Sequence, residues 1–260
     1  MFMSAYKFIT YEERDGAAWL TINRPPLNWL DIATMEEMNC ALEKVLAAGP
    51  ELKVLVLQAA GKKAFSVGVD VGDHTEDKVN HMIAAFHGIF RRLDRLEIPT
   101  IAAVQGAVLG GGCEVALFCD MVVAADNIKI GQPEIKLAVF PPIAVAALPA
   151  IVGPKKAYEM VLGGEALRAD AALACGLINK VVAVDDFAAE LEKFVKIFTA
   201  LSGSALRSTK RALKAASDKP FAAALETVEG AYLYDCMRNQ DAREGLSSFL
   251  EERKPTWSNR

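Results

Sequence analysis

Little in this chain points to metal, redox or nucleic-acid chemistry. Among its 260 residues there are only three histidines and five cysteines. Cys40, Cys113, Cys119, Cys175 and Cys236 are odd in number and contain no CxxC pair, which argues against a disulfide framework and fits reduced thiols used as buried filler. His74, His81 and His87 lie on one segment, the first two spaced as if on one helical face, but a metal site needs a tighter ligand set, so no metal is expected. The net charge of -4 is spread without acidic or basic blocks and leaves no electrostatic footprint for nucleic acid. Neither a GxGxxG nor a GK[ST] is present, so dinucleotide and P-loop readings fail. The longest apolar stretch, 138–152, is too short to span a bilayer and holds three prolines, and no charged-then-apolar leader opens the chain. These absences predict a cytoplasmic protein with no membrane partner.

What is present is apolar residue, 52% of the chain, enough for a sizeable core in one large domain or a domain with a small appendage. Residues 6–22 alternate apolar and polar around Asp15-Gly16, a hairpin pattern. Asp31 is placed to cap a helix over 32–47, and 52–58 reads as a buried strand. A loop containing FSVGVDVGD leads to a helix over about 77–96 and then a strand to Val104. A further strand is expected at 121–125. Beyond Gly153 the pattern is helical almost throughout, over 155–161, 169–174, 186–201, 205–216, 221–237 and 241–252.

The segment from Ile98 to Glu134 carries most of the chemistry. Its strand-like start ends at Gly106, and Gly110, Gly111 and Gly112 then open a helix with Glu114 in its first turn. N–H groups at a helix start have no intrahelical acceptor, and glycine lets a substrate come close to them. That combination suits an oxyanion hole. Twenty residues on, Glu134 closes the turn GQPE. Alone, either glutamate reads as structural, because a helix dipole favours an acid in the first turn and GQP is an ordinary turn. Together, beside one anion site, they suggest acid and base work next to an enolate.

The ordered series NRP, KAFSVGVD, GxxxGGGCE, GQPE and EGLSSFLEERKPTW resembles the crotonase (enoyl-CoA hydratase/isomerase) family over nearly the whole chain. The resemblance implies an α/β crotonase (ClpP-like) fold, a spiral of ββα units over 1–200 and a C-terminal helical region over 201–260 that assists a homotrimer or dimer of trimers. It also implies an acyl-CoA substrate whose carbonyl oxygen accepts from the backbone N–H groups of Gly111 and Val69. Gly68 and Asp70 flank Val69 and join the expected substrate-binding set. In the hydratase branch, residues matching Glu114 and Glu134 hold a water between them and move its protons. Coenzyme A is then part of the substrate, and no separate cofactor is implied.

Two departures mark a subgroup. Where the family continues with PGAGG, this chain has FPPIAVA, with Pro142 in place of a residue whose amide helps to hold the water, and proline has no N–H. NRPPLNWLD is one residue short and lacks a lysine that often meets the CoA phosphates. With Asp73-His74, AVFPP and the C-terminal residues, these features resemble hydratases of cyclohexa-1,5-diene-1-carbonyl-CoA in anaerobic benzoyl-CoA degradation. A generic short-chain 2-enoyl-CoA hydratase, an isomerase, and a non-catalytic acyl-CoA-binding or RNA-binding relative are the alternatives. Arg24, Lys62, Lys63 and Lys254 are the candidates for the CoA phosphates. His74 is expected to line the acyl pocket, and Phe140 with Trp29, Phe86 and Phe90 to wall a ring-shaped substrate.

Overall fold

The alternation near the start of the chain folds as a hairpin, β1 (Ile9–Arg14) against β2 (Ala17–Ile22), in a computed structural model that describes residues 6–260. Asp15 and Gly16 both sit at positive φ, as a two-residue turn between twisted strands requires. There follow α1 (Ile32–Ala47), β3 (Val54–Ala59), β4 (Ala64–Ser66), α2 (Val79–Arg95), β5 (Thr100–Val104), β6 (Ala107–Leu109), α3 (Gly111–Phe118), β7 (Met121–Ala125) and β8 (Lys129–Gly131). The remainder is α4 (Pro142–Val152), α5 (Pro154–Gly163), β9 (Leu167–Arg168), α6 (Ala169–Ala174), β10 (Lys180–Val182), α7 (Phe187–Thr199), α8 (Gly203–Ala216), α9 (Phe221–Tyr234) and α10 (Gln240–Leu250). Asp31 caps α1 as expected, its carboxylate accepting from Thr34 N at 2.9 Å.

Two sheets organise these elements. The larger runs β1-β2-β3-β5-β7-β10 and is parallel apart from the opening hairpin; the smaller runs β4-β6-β8-β9. Both faces of the larger sheet are covered, because successive strand residues point to opposite sides. Leu20, Leu55, Leu57 and Ala102 face the main core with Met38, Leu42 and Ile89 of α1 and α2. Trp19, Val54, Val56 and Ile101 face a second core closed by Phe187, Leu191 and Val195 of α7. Near-continuous burial along β3 and β5 is the mark of strands packed on two sides.

The smaller sheet is absent from the sequence reading. Its strands are two or three residues long, too short for an alternation to register. α4 also departs from that reading. Its prolines mark a helix start rather than a break, since Pro142 occupies the first helical turn, where a missing N–H costs nothing. Pro149 lies inside α4. His74 lies outside α2, in the C-cap of a one-turn 3-10 helix over Val71–Asp73, so it does not share a helical face with His81.

α8 is tied to the core by Lys210, buried, whose Nζ lies 2.6 Å from Asp120 Oδ2 and 2.9 Å from the carbonyl of Ile98. Asp120 also accepts from the N–H and hydroxyl of Thr100, so the pair is well supplied with hydrogen bonds. α9 has no buried residue.

Candidate active site

The loop after β4 is fixed from both sides. Leu30 N donates to Gly68 O at 3.0 Å and Asp70 N to Leu30 O at 3.2 Å, bracketing Val69. Ser66 Oγ accepts from Gly68 N at 3.1 Å. Asp70 caps the following 3-10 turn by accepting from Gly72 N at 2.8 Å, and its carbonyl lies 3.0 Å from His74 Nδ1. Among the described residues, no acceptor within the chain takes the N–H of Val69 or of Gly111. Two backbone donors are therefore available side by side.

Steric clearance explains the glycines here. A Cβ on Gly68 would stand 3.1 Å from Gly111 N and cover that amide. Gly110 has φ +55°, and a Cβ there would lie 2.8 Å from Glu134 Oε1. At Gly111 a Cβ would meet Val69 Cγ2 and Phe86 Cζ, each at 2.9 Å, and at Gly112 it would collide with Ser66. The triplet thus lets α3 begin against β4, the Val69 loop and Glu134 at once.

The glutamates arrive on adjoining segments. β6 and β8 pair in parallel, and Gly110 N donates to Gly131 O at 3.0 Å, which locks the start of α3 to the GQPE turn. One turn into α3, Glu114 is 2% exposed and its Oε1 accepts from Ala144 N at 2.9 Å. Burial pushes its carboxyl up to about 7, aided by the charge of Glu134 and opposed by N–H groups of Ala144 and Ile143. Glu134, half-buried at the start of the 3-10 turn Glu134–Leu137, is also pushed up to about 7 by burial. Carboxyls tuned to this range exchange protons near neutral pH. The charge of Glu134 bears on Glu114, so the two carboxyls are near enough to influence one another.

Several predicted residues fall elsewhere or have other work. Arg24 is turned inward, pairing with Asp31, reaching Thr34 Oγ1 at 3.3 Å and stacking 4.5 Å over the Phe8 ring; its partners are structural, contrary to its candidacy for phosphate. Lys62, Lys63 and Lys254 are exposed and make no side-chain ion pair among the described residues. His74 is exposed. Of the four aromatics, Phe86 and Phe90 are buried edge to face while Trp29 and Phe140 are 43% and 64% exposed. Pro142 lies at the start of α4, two residues before the Glu114 donor Ala144.

Sequence reasoning missed the partners of three buried polar groups near the site. Gln132 is fully buried, and in the orientation that satisfies its neighbours its amide nitrogen donates to both Glu134 oxygens at 3.2 Å. Asn28 binds the carbonyls of Ala60 and Ala64, joining the NRPPLN loop to β4. Asp73 accepts from Ile32 N at 3.0 Å. Polar residues in motifs were the available signal, but their partners are set only by the fold. Among the described residues no group of three His, Cys, Asp or Glu side chains could hold a metal.

The profile of the enoyl-CoA hydratase/isomerase family matches residues 12–260. Cyclohexa-1,5-dienecarbonyl-CoA hydratase of Thauera aromatica is 39% identical over 95% of this chain and 95% of its own. Crotonyl-CoA hydratase of Syntrophomonas wolfei is 33% identical over 96% of this chain and 97% of its own. The solved structure of an enoyl-CoA hydratase from Bacillus anthracis superposes with a TM-score of 0.92 at 27% identity, covering 98% of this chain and all of that one. The architecture is thus the crotonase fold expected from the motifs. With the match extending through the Gly111, Glu114 and Glu134 segments to the final residue, the chain belongs to the enoyl-CoA hydratase/isomerase family and is an enzyme of its hydratase, or hydro-lyase, branch.

Proposed function

We propose that the protein adds water to a conjugated dienoyl-CoA thioester, converting cyclohexa-1,5-diene-1-carbonyl-CoA to 6-hydroxycyclohex-1-ene-1-carbonyl-CoA, as part of aromatic-acid degradation. The observation that carries hydration is the pair of carboxyls, buried Glu114 and half-buried Glu134, both raised to about 7 beside the amides of Val69 and Gly111, which no acceptor among the described residues takes. One carboxylate takes a proton from water as hydroxide joins the β-carbon. The thioester oxygen gains negative charge against the two N–H groups, each such donor being worth about 3 kcal/mol of barrier. In the diene this charge extends to the remote carbon of the second double bond. The neutral carboxyl returns a proton there, so water is added whole and the thioester is kept.

The cyclic diene is favoured by the name of the Thauera aromatica relative and by the Pro141-Pro142 start of α4. These prolines leave fewer backbone donors for water than a glycine-rich turn would, so the carboxyls must hold it. Loss of conjugated absorbance with the cyclic dienoyl-CoA, and deuterium from D2O at the remote carbon with none at the α-carbon, is the expected result. Fast hydration of crotonyl-CoA with the cyclic diene untouched would instead establish a short-chain 2-enoyl-CoA hydratase.

The reading extends to assembly and setting. A homotrimer or dimer of trimers would cover the exposed Leu213, Phe221, Tyr232, Leu233, Phe249 and Leu250 of the C-terminal helices. An apolar cavity of about 730 Å³ between α8 and α9 belongs to that same surface. Lys62, Lys63 and Lys254 are the cations left for the CoA phosphates. Coenzyme A enters with the substrate, with no separate cofactor. Five free cysteines accord with a cytoplasmic setting.

A further inference from the structure

Of the backbone N–H groups of Val67, Gly68, Val69 and Asp70, just after β4, three are taken. Val67 N donates to Leu27 O at 3.1 Å, Gly68 N to Ser66 Oγ at 3.1 Å and Asp70 N to Leu30 O at 3.2 Å. The N–H of Val69 is the one that no acceptor among the described residues takes. Two of the three partners are backbone carbonyls. The third is a side chain, the hydroxyl of Ser66, which is fully buried.

The aim of the Val69 N–H depends on two peptide planes that meet at Gly68. A trans peptide carries its N–H opposite its C=O. Leu30 N donates to Gly68 O at 3.0 Å, so the Gly68–Val69 plane is held on one side and its N–H points away from Leu30. The preceding plane, Val67–Gly68, is held through its N–H by the Ser66 hydroxyl. Gly68 joins the two at φ +102°, with no side chain to restrict rotation. Without the hydroxyl a buried N–H would lack an acceptor, and rotation about Gly68 would relieve it. Ser66 also touches the other donor segment. A Cβ on Gly112 would stand 2.6 Å from both the Cβ and the carbonyl oxygen of Ser66, so α3 begins in close contact with this residue. The register of β4 on β6 shifts between Ala64 and Ser66, an irregularity of the kind that re-aims a side chain.

We propose that Ser66 is a positioning residue of the oxyanion site: its hydroxyl takes the N–H of Gly68, which steadies the next peptide plane and leaves the N–H of Val69 aimed at the substrate carbonyl beside that of Gly111. The inference rests on the acyl-CoA hydratase reading above. Ser66 acts through Gly68 and Val69, so its removal misdirects one donor of two while Gly111 and the glutamates keep their places. The loss falls on the transition state more than on binding, because charge grows on the carbonyl oxygen only as hydroxide adds.

The test is Ser66→Ala, read by infrared difference spectroscopy of bound cyclohexanecarbonyl-CoA and butanoyl-CoA labelled with carbon-13 at the thioester carbonyl. Neither probe has a double bond to hydrate, and hydrogen bonds to a carbonyl oxygen lower its stretching frequency. Binding to the wild type should lower the frequency. Ser66→Ala should lose about half of that lowering, with kcat on the hydrated substrate down about tenfold and the dissociation constant of the probe within about twofold. A loss of fold stability alone does not move the frequency of the bound carbonyl. If Ser66→Ala fails to fold, Ser66→Cys, whose sulfur is a weaker acceptor, carries the same test. A frequency equal to that of the wild type, whatever happens to kcat or thermal unfolding, overturns the inference and leaves the hydratase reading in place. If the wild type lowers the frequency of neither probe and hydrates neither the cyclic diene nor crotonyl-CoA, the hydratase reading falls and takes the inference with it.

Discussion

Glu114 Oε1 lies 2.9 Å from the backbone nitrogen of Ala144, so the acid in the first turn of α3 closes the first turn of α4. Pro141 and Pro142 bring no N–H to that turn, and the first two that α4 offers, from Ile143 and Ala144, bear on this carboxylate. A helix N-terminus favours the ionised form of an acid placed against it. In the proposed reaction Glu114 is thereby suited to act as the base that activates water, leaving Glu134 to hold the proton that returns to carbon.

Glu114→Gln and Glu134→Gln should each lower kcat by roughly 10²–10⁴ while leaving CoA-ester binding largely intact, because each removes proton transfer but keeps shape. Equilibrium binding of a non-reactive acyl-CoA alongside steady-state rates separates the two effects. Wild-type turnover in both variants would remove the glutamates from the mechanism.

The raised carboxyls set opposite requirements for activity and stability. The proposed hydration needs one ionised and one neutral carboxyl, so kcat/KM should follow a bell with its maximum near pH 7, and a flat profile between pH 5 and 9 would contradict the pairing. Stability behaves otherwise. Glu114 has its folded value near 7, above the ordinary 4.5, so the unfolded chain releases this proton first. Below 4.5 the group is neutral in both states; stability is lost as pH rises from there through 7. The loss approaches about 3 kcal/mol on the scale of 1.36 kcal/mol per unit. Glu114→Gln, which still offers Ala144 an oxygen, should therefore unfold later than the wild type in denaturant at pH 8, with the gain vanishing near pH 4.

Gly110→Ala should reduce kcat by roughly 10²-fold, since its Cβ would stand 2.8 Å from Glu134 Oε1 and displace that carboxyl. Gly153 provides the comparison. It also has positive φ, +76°, but a Cβ there meets nothing within 4 Å. Gly153→Ala should carry backbone strain of about 1–3 kcal/mol, its ψ of 157° lying in a region almost confined to glycine, and leave kcat unaltered. Equal kinetic losses in the two variants would mean that strain, not the Glu134 contact, is responsible.

Much of this arrangement was legible in the sequence where one residue type has one physical use. Asp31 before an amphipathic run announced the start of α1, and the glycine triplet with Glu114 announced an open helix N-terminus. What escaped depends on partners distant along the chain. Arg24 looks like a phosphate ligand until Asp31 and Phe8 close around it, and Gln132 looks like a turn residue until Glu134 comes within 3.2 Å. α4 was hidden because its prolines resemble a break, and only the surrounding packing shows that one of them opens a helix.

Assembly is measurable by light scattering. Phe249 and Leu250 are 83% and 82% exposed on α10, and Phe221 is 81% exposed at the start of α9, more large apolar surface than a lone chain normally leaves in water. The mass should come to three or six times the 28.1 kDa chain. A stable monomer at micromolar concentration would overturn the trimeric reading.

The contrast between Arg24 and the exposed lysines yields the last prediction. Arg24→Ala strips Asp31 of its ion pair and uncovers the Phe8 ring in a partly buried setting, so it should lower unfolding stability by about 1–3 kcal/mol. Its effect on KM for a CoA ester should be small, because the guanidinium is already engaged. Lys62→Ala with Lys63→Ala removes two solvated charges that hold no ion pair among the described residues, so stability should hold within about 0.5 kcal/mol. If those lysines meet the CoA phosphates, KM in the double variant should rise severalfold at low ionic strength and converge on the wild-type value at high salt, where screening removes the attraction in both. A salt-independent KM equal to the wild type in the lysine variant, with a large rise in Arg24→Ala, would reverse the assignment and return Arg24 to the phosphate site.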